Sequence, residues 1–226
     1  SESNDIVDGI ITRSITEISN DRVTTIGDYA FYKCSSLTSV SFPKCTTIYP
    51  YAFADCSSLT SVNFPVCTYI SYSAFADCSS LTFVSFPKCT TISNNAFGYC
   101  SYLTSVNFPV CTRISNTAFT RCNSLTSVSF PKCTTIGATA FGYCSSLTSV
   151  NFPVCTSIGN YAFNYCSSLT SVSFPVCKHI GVGAFSHCNS LTNLTLGASS
   201  VVSLASVNAF YSTPMSLSTY TGLFGS

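Results

Sequence analysis

Apolar residues recur along the chain in one fixed pattern. Each unit reads Cys-x-x-Leu-x-x-Val-x-Phe-Pro-x-Cys-x-x-Ile-x-x-x-Ala-Phe-x-x, and its positions are numbered 1 to 22 from the first cysteine. Val at position 7 and Phe at position 9 alternate with Ser, Thr or Asn, which predicts a short strand with the apolar side chains on one face. Proline at position 10 ends this strand because it has no N–H to donate. Extended backbone resumes through positions 12 to 15, and the remaining segment is too short for more than a turn of helix or 3₁₀ helix.

The pattern divides the chain into three parts. Seven regular units run through residues 34–187. Residues 1–33 form an N-terminal cap and a first degenerate repeat, which matches the pattern in register from residue 12 without its cysteines. Residues 188–226 form the irregular last repeats, in which Ala209 and Phe210 arrive three residues late. A period of this length predicts a repeat solenoid, in which stacked coils bury a continuous apolar face and successive strands pair in parallel about 4.8 Å apart.

The repeated pattern resembles that of a known family. Leu-x-x-Val-x-Phe-Pro, followed by Ile-x-x-x-Ala-Phe-x-x-Cys-x-x-Leu, is similar to the BspA-like leucine-rich repeat, and the resemblance covers about residues 12–212. It implies a right-handed leucine-rich-repeat coil with one parallel β-sheet, and with short 3₁₀, helical or extended segments on the other side. The familiar repeat is slightly longer, with Ser-Val where this chain has a single Cys, so we expect a different curvature.

The resemblance also implies a function and a location. Its members are surface proteins of bacteria or protists that adhere to host proteins or to other cells, and similar arrays occur in phage tail proteins. The family has no shared catalytic residues. It therefore implies an extracellular or cell-surface protein that binds a host or cell-surface protein or glycan.

Fifteen cysteines fall into two series that each advance by one whole unit of the pattern. They occupy position 1 (Cys34, Cys56, Cys78, Cys100, Cys122, Cys144, Cys166, Cys188) and position 12 (Cys45, Cys67, Cys89, Cys111, Cys133, Cys155, Cys177). A disulfide framework is disfavoured because positions 1 and 12 flank a strand, whereas a disulfide needs Cα atoms about 4.4–6.8 Å apart. A zinc site is disfavoured because no Cys-x₂-Cys pair converges on one ion, so no metal is expected. The favoured interpretation is two ladders of buried thiols that act as small hydrophobic side chains.

Variation between the units is concentrated at positions 14, 16–18, 21 and 22. Tyr, Ser, Asn and Gly are frequent there, and together they are the composition of an antibody paratope. One hypothesis is a recognition surface along the turn-bearing side of the solenoid, and the other is that solvent-facing positions vary freely. The candidate ligand-binding residues, at these positions and at two further variable sites, are Tyr49, Tyr51, Tyr69, Tyr72, Phe83, Tyr99, Tyr102, Arg113, Arg121, Tyr143, Tyr161, Tyr165 and His187.

The exposed strand surface is more uniform. Positions 6 and 8 hold Ser or Asn in nearly every unit, and Phe83 is the aromatic exception at position 6. Position 8 alternates Ser with Asn and position 11 alternates Lys with Val, which indicates a duplicated two-coil unit. Such uniformity suits a regular hydroxyl face better than a sculpted pocket, but a binding groove on the strand surface is kept as an alternative because solenoids often bind there.

Charge is sparse and unevenly placed. Only 8% of the residues are charged, against about 25% in an ordinary domain, and the net charge of +1 gives no electrostatic case for nucleic acid. No apolar run approaches the roughly 18 residues of a membrane span, and the first residues do not have the pattern of a signal peptide. Residues 1–77 hold four bases and all eight acids, for a net −4, while residues 78–226 hold five bases, for a net +5. This division indicates either end-to-end self-association or chance.

Catalysis is not expected. The two histidines, His179 and His187, lie in one coil, and the nearest acid along the chain, Asp77, ends a coil five units earlier. At about 4.8 Å per coil they are about 24 Å apart, whereas a base and its orienting carboxylate need about 3 Å. Asp55 and Asp77 are adjacent in the stack, and the favoured interpretation of this pair is a solvated edge. The chain has no glycine-rich phosphate loop, and no cofactor is expected.

The two ends differ in charge. Residues 1–33 carry charged side chains around their strand, which is how a sheet edge is protected from pairing with a neighbour. Residues 188–226 carry no charge at all. We therefore expect the native protein to continue beyond Ser226; the alternative is that this bare edge stacks on another chain.

The leading hypothesis is a non-enzymatic extracellular recognition or adhesion module that binds a protein or glycan through the solenoid surface. The alternatives are a structural spacer, a self-assembling filament subunit, or the receptor-binding repeat region of a phage tail.

Overall fold

A computed structural model of the protein describes residues 15–197, 203–204 and 207–214. These residues form a solenoid of stacked coils whose strands come in two sets. The longer strands hold positions 6 to 8 of the repeat: β1 (Glu17–Ser19), β3 (Ser39–Ser41), β5 (Ser61–Asn63), β7 (Phe83–Ser85), β9 (Ser105–Asn107), β11 (Ser127–Ser129), β13 (Ser149–Asn151), β15 (Ser171–Phe174) and β17 (Asn193–Leu196).

The second set consists of two-residue strands, at positions 14 and 15 in every coil but the last, where the strand comes two residues later. They are β2 (Thr25–Ile26), β4 (Thr47–Ile48), β6 (Tyr69–Ile70), β8 (Thr91–Ile92), β10 (Arg113–Ile114), β12 (Thr135–Ile136), β14 (Ser157–Ile158), β16 (His179–Ile180) and β18 (Ser203–Leu204). A 3₁₀ helix, Val207–Phe210, follows β18. The extended segment predicted after the proline is therefore present, and it pairs as a ladder of its own.

Every strand pairs in parallel with the strand one coil away, which confirms the predicted stacking. In the regular coils the register is one whole repeat unit, so that Val40 lies opposite Val62 and Ile48 opposite Ile70. The two-residue strands form one continuous nine-stranded sheet. The longer strands form three three-stranded sheets: β1-β3-β5, β7-β9-β11 and β13-β15-β17.

A third ladder of hydrogen bonds joins the turn segments at positions 17 to 22. In one coil, the N–H groups of Tyr51 and Phe53 donate to the carbonyl oxygens of Tyr72 and Ala74 in the next coil, at 3.0 and 2.8 Å. Bonds between residues three apart tighten the same segment, such as Ala54 N to Tyr51 O at 3.1 Å. The segment is thus the short 3₁₀-like turn that the sequence predicted, held to its neighbours through the backbone.

The core is a stack of phenylalanine rings. Phe rings at position 20 repeat with centroids 5.0–5.4 Å apart, and those at position 9 repeat at 5.3–6.0 Å. Leu, Ile, Ala and Cys from the repeat fill the space around them and are fully buried through the regular coils. One coil could not bury these side chains alone, so the stacking of coils creates the core.

The cysteines form the two predicted ladders. All fifteen are buried and none is joined in a disulfide. A position-1 thiol donates to a carbonyl of the coil before it, as Cys56 Sγ does to Phe31 O at 3.0 Å, whereas a position-12 thiol donates to the carbonyl two residues on, as Cys45 Sγ does to Thr47 O at 3.3 Å. Burial raises the pKa of Cys45 to about 11 and that of Cys144 to about 12.

The predictions for the two ends fall largely outside the described residues. Residues 1–14 of the cap and residues 215–226 are not among them. Within the described part, β1 pairs with β3 and so forms the first strand of its sheet. The division into a cap, seven regular repeats and an irregular end stays a prediction, as does continuation beyond Ser226. No helix in the described segments is long and apolar enough to cross a membrane.

Candidate binding surface

The residues at position 22 form one line along the outside of the solenoid, here named the outer row. Each has a left-handed backbone, with φ between 58° and 62°, and this conformation is uncommon for residues other than glycine. Its N–H donates to the next coil, as Asp55 N does to Ala76 O at 2.8 Å, which holds the conformation in place. The members of the outer row are Lys33, Asp55, Asp77, Tyr99, Arg121, Tyr143, Tyr165 and His187.

The left-handed backbone decides which way these side chains point. Residues two apart share a face in an ordinary strand. Here the phenylalanine at position 20 is buried, while the residue at position 22 lies at the surface: Phe97 is fully buried and Tyr99 is 46% exposed. The third ladder therefore places one repeated side chain in the core and another outside it.

The second half of the outer row is a continuous stack. The guanidinium carbon of Arg121 lies 5.8 Å from the ring centre of Tyr99 and 4.6 Å from that of Tyr143. The rings of Tyr143 and Tyr165 are 4.8 Å apart and nearly parallel. His187 stacks on Tyr165 at 4.3 Å. These contacts join five of the thirteen predicted candidates into one surface.

The first half of the outer row is charged. Lys33 Nζ lies 5.0 Å from the ring centre of Tyr32, and Asp55 and Asp77 follow in the next two coils. The pKa of Asp77 is raised by partial burial and, to a smaller extent, by the negative charge of Asp55. The row thus changes from acidic to aromatic and cationic at Tyr99.

A line of small residues runs beside the outer row at position 21. They are all buried, unlike the members of the outer row, and they are Ala54, Ala76, Gly98, Thr120, Gly142, Asn164 and Ser186. A Cβ on Gly142 would come within 2.5 Å of Asn164 Oδ1. That oxygen is buried and has no hydrogen-bond partner in the described part of the chain.

Tyr51 and Tyr72 belong to a separate cluster near the first coils. The ring of Tyr51 stacks on Tyr29 at 4.8 Å and meets Tyr72 edge-on at 5.2 Å. Tyr32 joins the cluster through an edge-on contact with Tyr29. Tyr51 and Tyr72 are among the predicted candidates and Tyr29 and Tyr32 are not, although all four lie at variable positions.

Tyr161 lies over Gly183 in the neighbouring coil. Gly183 has a φ of +61°, and a Cβ there would collide with the Tyr161 ring. A cavity of about 290 Å³ opens at this point, between Tyr161, Gly183, Ser186, His187 and Tyr211. Tyr211 meets His187 edge-on at 5.4 Å, and the irregular spacing of its coil hid this contact from the sequence analysis.

The remaining candidates are dispersed. Tyr69 and Arg113 lie on the nine-stranded sheet and Tyr49 directly follows β4, with the Tyr69 hydroxyl 2.9 Å from Ser93 Oγ. Phe83 is 51% exposed on β7, and Tyr102 is 65% exposed on a turn. The structure brings neither of them into the outer row.

The strand surface also carries a groove, as the sequence alternative allowed. It has a volume of about 560 Å³ and lies across the first three longer strands. Its lining is polar on the outer side, with Ser39, Ser41, Ser61 and Asn63, and Asn63 Nδ2 donates to Ser41 Oγ at 2.9 Å. These side chains already hydrogen-bond to one another in part. No group of three His, Cys, Asp or Glu side chains within the described ranges could hold a metal ion.

The sequence pattern predicts the aromatic half of the outer row as a candidate surface but not its charged half. Asp55 and Asp77 were predicted to be a solvated edge, with no connection to Tyr99. The signal that could have joined them is their common position in the repeat, since all three occupy position 22.

Comparison with known proteins identifies similar repeats. The family model described as BspA type leucine-rich repeat region matches residues 11–126 and 112–222. Among curated proteins, none is significantly similar in sequence.

Several solved structures of leucine-rich repeat proteins match the chain. A leucine-rich repeat protein from Bacteroides ovatus is 28% identical, with a TM-score of 0.58; the match covers 80% of this chain and 61% of that one. The leucine-rich repeat protein of T. pallidum is 26% identical over 80% of this chain and 69% of that one, with a TM-score of 0.38. This chain thus spans about three fifths of the length of the Bacteroides ovatus protein.

Proposed function

The chain belongs to the BspA-type leucine-rich repeat family, and from this premise we propose that it is a non-enzymatic recognition module of a cell surface that binds a protein partner through the aromatic half of the outer row. Leucine-rich repeats are commonly protein-interaction modules, which supports a binding role. The observation that carries the proposal is the stack from Tyr99 to His187.

The stack supports binding because it is organised before the partner arrives. Ordering a flexible side chain at an interface costs about 0.5–1.5 kcal/mol. The rings of Tyr143, Tyr165 and His187 are already held against one another at 4.3–4.8 Å, so less freedom remains to be lost. Tyrosine and arginine are also among the residue types enriched at the energetic centres of protein interfaces.

Arg121 would allow the surface to select a partner that carries a carboxylate. Its guanidinium lies over the rings of Tyr99 and Tyr143, and the side chain is exposed. A guanidinium that stacks through its face keeps N–H donors at its edge, and these suit a carboxylate in a bidentate pair. The proposed partner therefore presents an acidic side chain next to apolar surface.

The strand surface is the weaker candidate. Its outward side chains are nearly identical from coil to coil, and Ser–Asn pairs such as Asn107 with Ser85 hydrogen-bond to each other at 3.3 Å. Phe83 is its one large exposed apolar side chain in the regular coils. A single anchor gives less surface for a partner than the five stacked residues of the outer row.

The test uses beads coated with the chain and a cultured epithelial monolayer. A variant with Tyr99, Tyr143, Tyr165 and Arg121 all changed to Ser should lose at least about tenfold in adherent beads, because several interface anchors are removed together. The matched control changes Tyr49, Tyr69, Tyr102 and Arg113 to Ser, which removes the same residue types elsewhere. Thermal unfolding checks that both variants remain folded.

Two outcomes would overturn this proposal. One is unchanged adherence of the outer-row variant while its fold is intact. The other is adherence that survives trypsin treatment of the monolayer but is lost after periodate oxidation of its glycans, which would identify a glycan as the partner.

A further inference from the structure

The charges and rings of the outer row are complementary to those of a second outer row that runs in the opposite direction. The members of the row are separated by one repeat unit throughout, so a two-fold axis through Tyr99 sets the seven members from Lys33 to Tyr165 opposite members of a second copy and leaves His187 outside the paired stretch. Asp77 then faces Arg121, Asp55 faces Tyr143 and Lys33 faces Tyr165, while Tyr99 faces its own counterpart. No two like charges meet in this arrangement.

From this symmetry we propose that the outer row also binds the outer row of a second copy of the chain, side by side and antiparallel, with the two-fold axis at Tyr99. The inference rests on the proposed function, because it uses the same surface. A closed pair with two-fold symmetry is the commonest form of homo-oligomer, and it contacts itself through the same patch on both chains.

The central contact of this pair is Arg121 with Asp77 of the second copy, made twice. The guanidinium carbon of Arg121 lies 4.6 Å from the ring centre of Tyr143, and the side chain is exposed. Asp77 is an exposed carboxylate whose nearest charged neighbour in the outer row is another carboxylate, Asp55. A guanidinium from outside relieves this repulsion, and a forked pair with a carboxylate is the geometry that arginine favours.

The outer contacts use the same chemistry. Lys33 would donate to the hydroxyl oxygen of Tyr165, which is 42% exposed, because Tyr143 and His187 cover the two faces of that ring. Asp55 would accept a hydrogen bond from the Tyr143 hydroxyl. Each charged residue of the row from Lys33 to Arg121 thus gains a partner.

The residues beside the outer row at position 21 are small and buried, as Ala54, Ala76, Gly98 and Gly142 are. Equal coil spacing in both chains keeps the two outer rows in step.

Other registers of the pair are less favourable. An axis midway between Tyr99 and Arg121 opposes all eight members but pairs no carboxylate with a cation. An axis at Asp77 would place that carboxylate against its own copy and Lys33 against Arg121. An axis midway between Asp77 and Tyr99 pairs Arg121 with Asp55 instead and avoids like charges, but it engages one coil fewer. Charge-swapped variants separate this register from the one proposed.

The first experiment measures association of the full chain by sedimentation equilibrium from about 10 µM to 1 mM, where weak interfaces associate. The wild-type chain should form dimers, and these should weaken at about 0.5 M salt because the pairs are screened. R121D and D77R should each raise the dissociation constant at least about tenfold, since each substitution creates two repulsive contacts.

The charge swap gives the decisive comparison. The double variant D77R/R121D, and an equimolar mixture of D77R with R121D, should both dimerise again because the opposite charges are restored. Restoration by D55R/R121D instead would overturn the axis at Tyr99. Each substitution inserts a residue type that already occupies position 22 in another coil, so the left-handed backbone accepts it.

A second readout tests the axis directly. Tyr99→Cys places two thiols at the two-fold axis, and mild oxidation should join them in a dimer of twice the chain mass. Tyr69→Cys, on the nine-stranded sheet, should stay monomeric under the same conditions. Both variants also contain the fifteen buried native thiols, so the Tyr69→Cys variant measures any cross-linking that these thiols cause.

The outcomes also separate the two proposals. A chain that is monomeric up to about 1 mM, with no cross-link at position 99, overturns the self-pairing. The proposed function is then tested by the bead-adherence assay alone. A chain whose charge swap restores dimers, but whose outer-row serine variant adheres normally, overturns the proposed function and supports the self-pairing.

Discussion

The solenoid carries two parallel stacks of side chains that lie only two residues apart in every coil. Inside, the position-20 phenylalanines repeat at 5.0–5.4 Å without a change of residue in the regular coils. Outside, the outer row repeats with the same period but changes from carboxylate to aromatic ring to guanidinium. The backbone therefore imposes stacking on both, and burial alone determines which stack must keep its residue type.

The difference has a physical cause. A phenylalanine in the inner stack contacts rings above, below and across the core, as Phe119 does with Phe97 and Phe141 at 5.3 and 5.4 Å. A smaller side chain there leaves a cavity. A member of the outer row faces water on one side, so a replacement leaves no void, and variation is tolerated.

The largest expected effect is the loss of folding stability at alkaline pH, which the buried cysteine thiols should cause. Fourteen of the thiols have a pKa raised above the ordinary value of 9.0, and burial is the main cause for nearly all of them. Between pH 9 and the folded pKa, the unfolded chain loses these protons while the folded chain keeps them. Stability is therefore complete below pH 9 and falls as the pH rises, by about 1.4 kcal/mol per pH unit for each thiol.

Because many thiols act together, about one pH unit above 9 should cancel a typical stability of about 5–15 kcal/mol. Circular dichroism during an anaerobic alkaline titration with reductant would show the transition. Replacing Cys100, Cys122 and Cys144 by Ala should make the fall with pH shallower. A chain that stays folded past about pH 12 would contradict the expectation.

The next largest effect isolates the inner stack. Phe119→Ala should lower the free energy of unfolding by about 3–5 kcal/mol, because it removes a fully buried ring and leaves a cavity between two others. Denaturant unfolding measures the change. A loss below about 1 kcal/mol would mean that neighbouring coils close the gap, which the fixed register between coils does not favour.

An intermediate effect tests how closely adjacent coils approach. Gly159→Ala should cost about 1–3 kcal/mol, because the added Cβ would lie 2.6 Å from the backbone of Gly137 and Ala138 in the previous coil. Gly27 occupies the same repeat position in the first coil, and a Cβ there meets nothing within 4 Å. Gly27→Ala should therefore be neutral or slightly stabilising, and equal losses for both variants in thermal unfolding would refute the argument.

The smallest effect belongs to the outer stack. Tyr143→Ala should change the free energy of unfolding by less than about 1 kcal/mol, since it removes surface ring contacts and leaves no cavity. The measurement is the same denaturant titration as for Phe119→Ala. A loss as large as that of the phenylalanine would show that the outer row supports the fold and is not free to serve recognition.

Much of the inner side could be predicted from the sequence. The spacing of Leu37, Val40 and Phe42 predicted the strand β3 and its buried face, and the constant period predicted parallel pairing in register. The pairing of the two-residue strands could not be predicted, because two residues such as Thr47 and Ile48 are too short to show an alternation.

The outer row could be predicted only in part. Its positions stand out as variable, but most members carry none of the usual signs of a left-handed backbone, since only Asp55, Asp77 and His187 are residue types enriched in it. The direction of Tyr99, Arg121 and Tyr143 follows from that backbone. Their stacking was therefore invisible until the coils were placed one above another.

The constant register has a consequence for how such a surface can change over generations. Any coil begins and ends at equivalent points, so a gain or loss of one whole repeat unit rejoins all three hydrogen-bonded ladders. Removing residues 100–121, for example, would bring Tyr99 directly beside Tyr143 and delete the guanidinium between them. Near-identical repeats favour such exchanges by recombination. The outer row can therefore gain or lose one residue with each repeat unit, while the core beneath it stays the same.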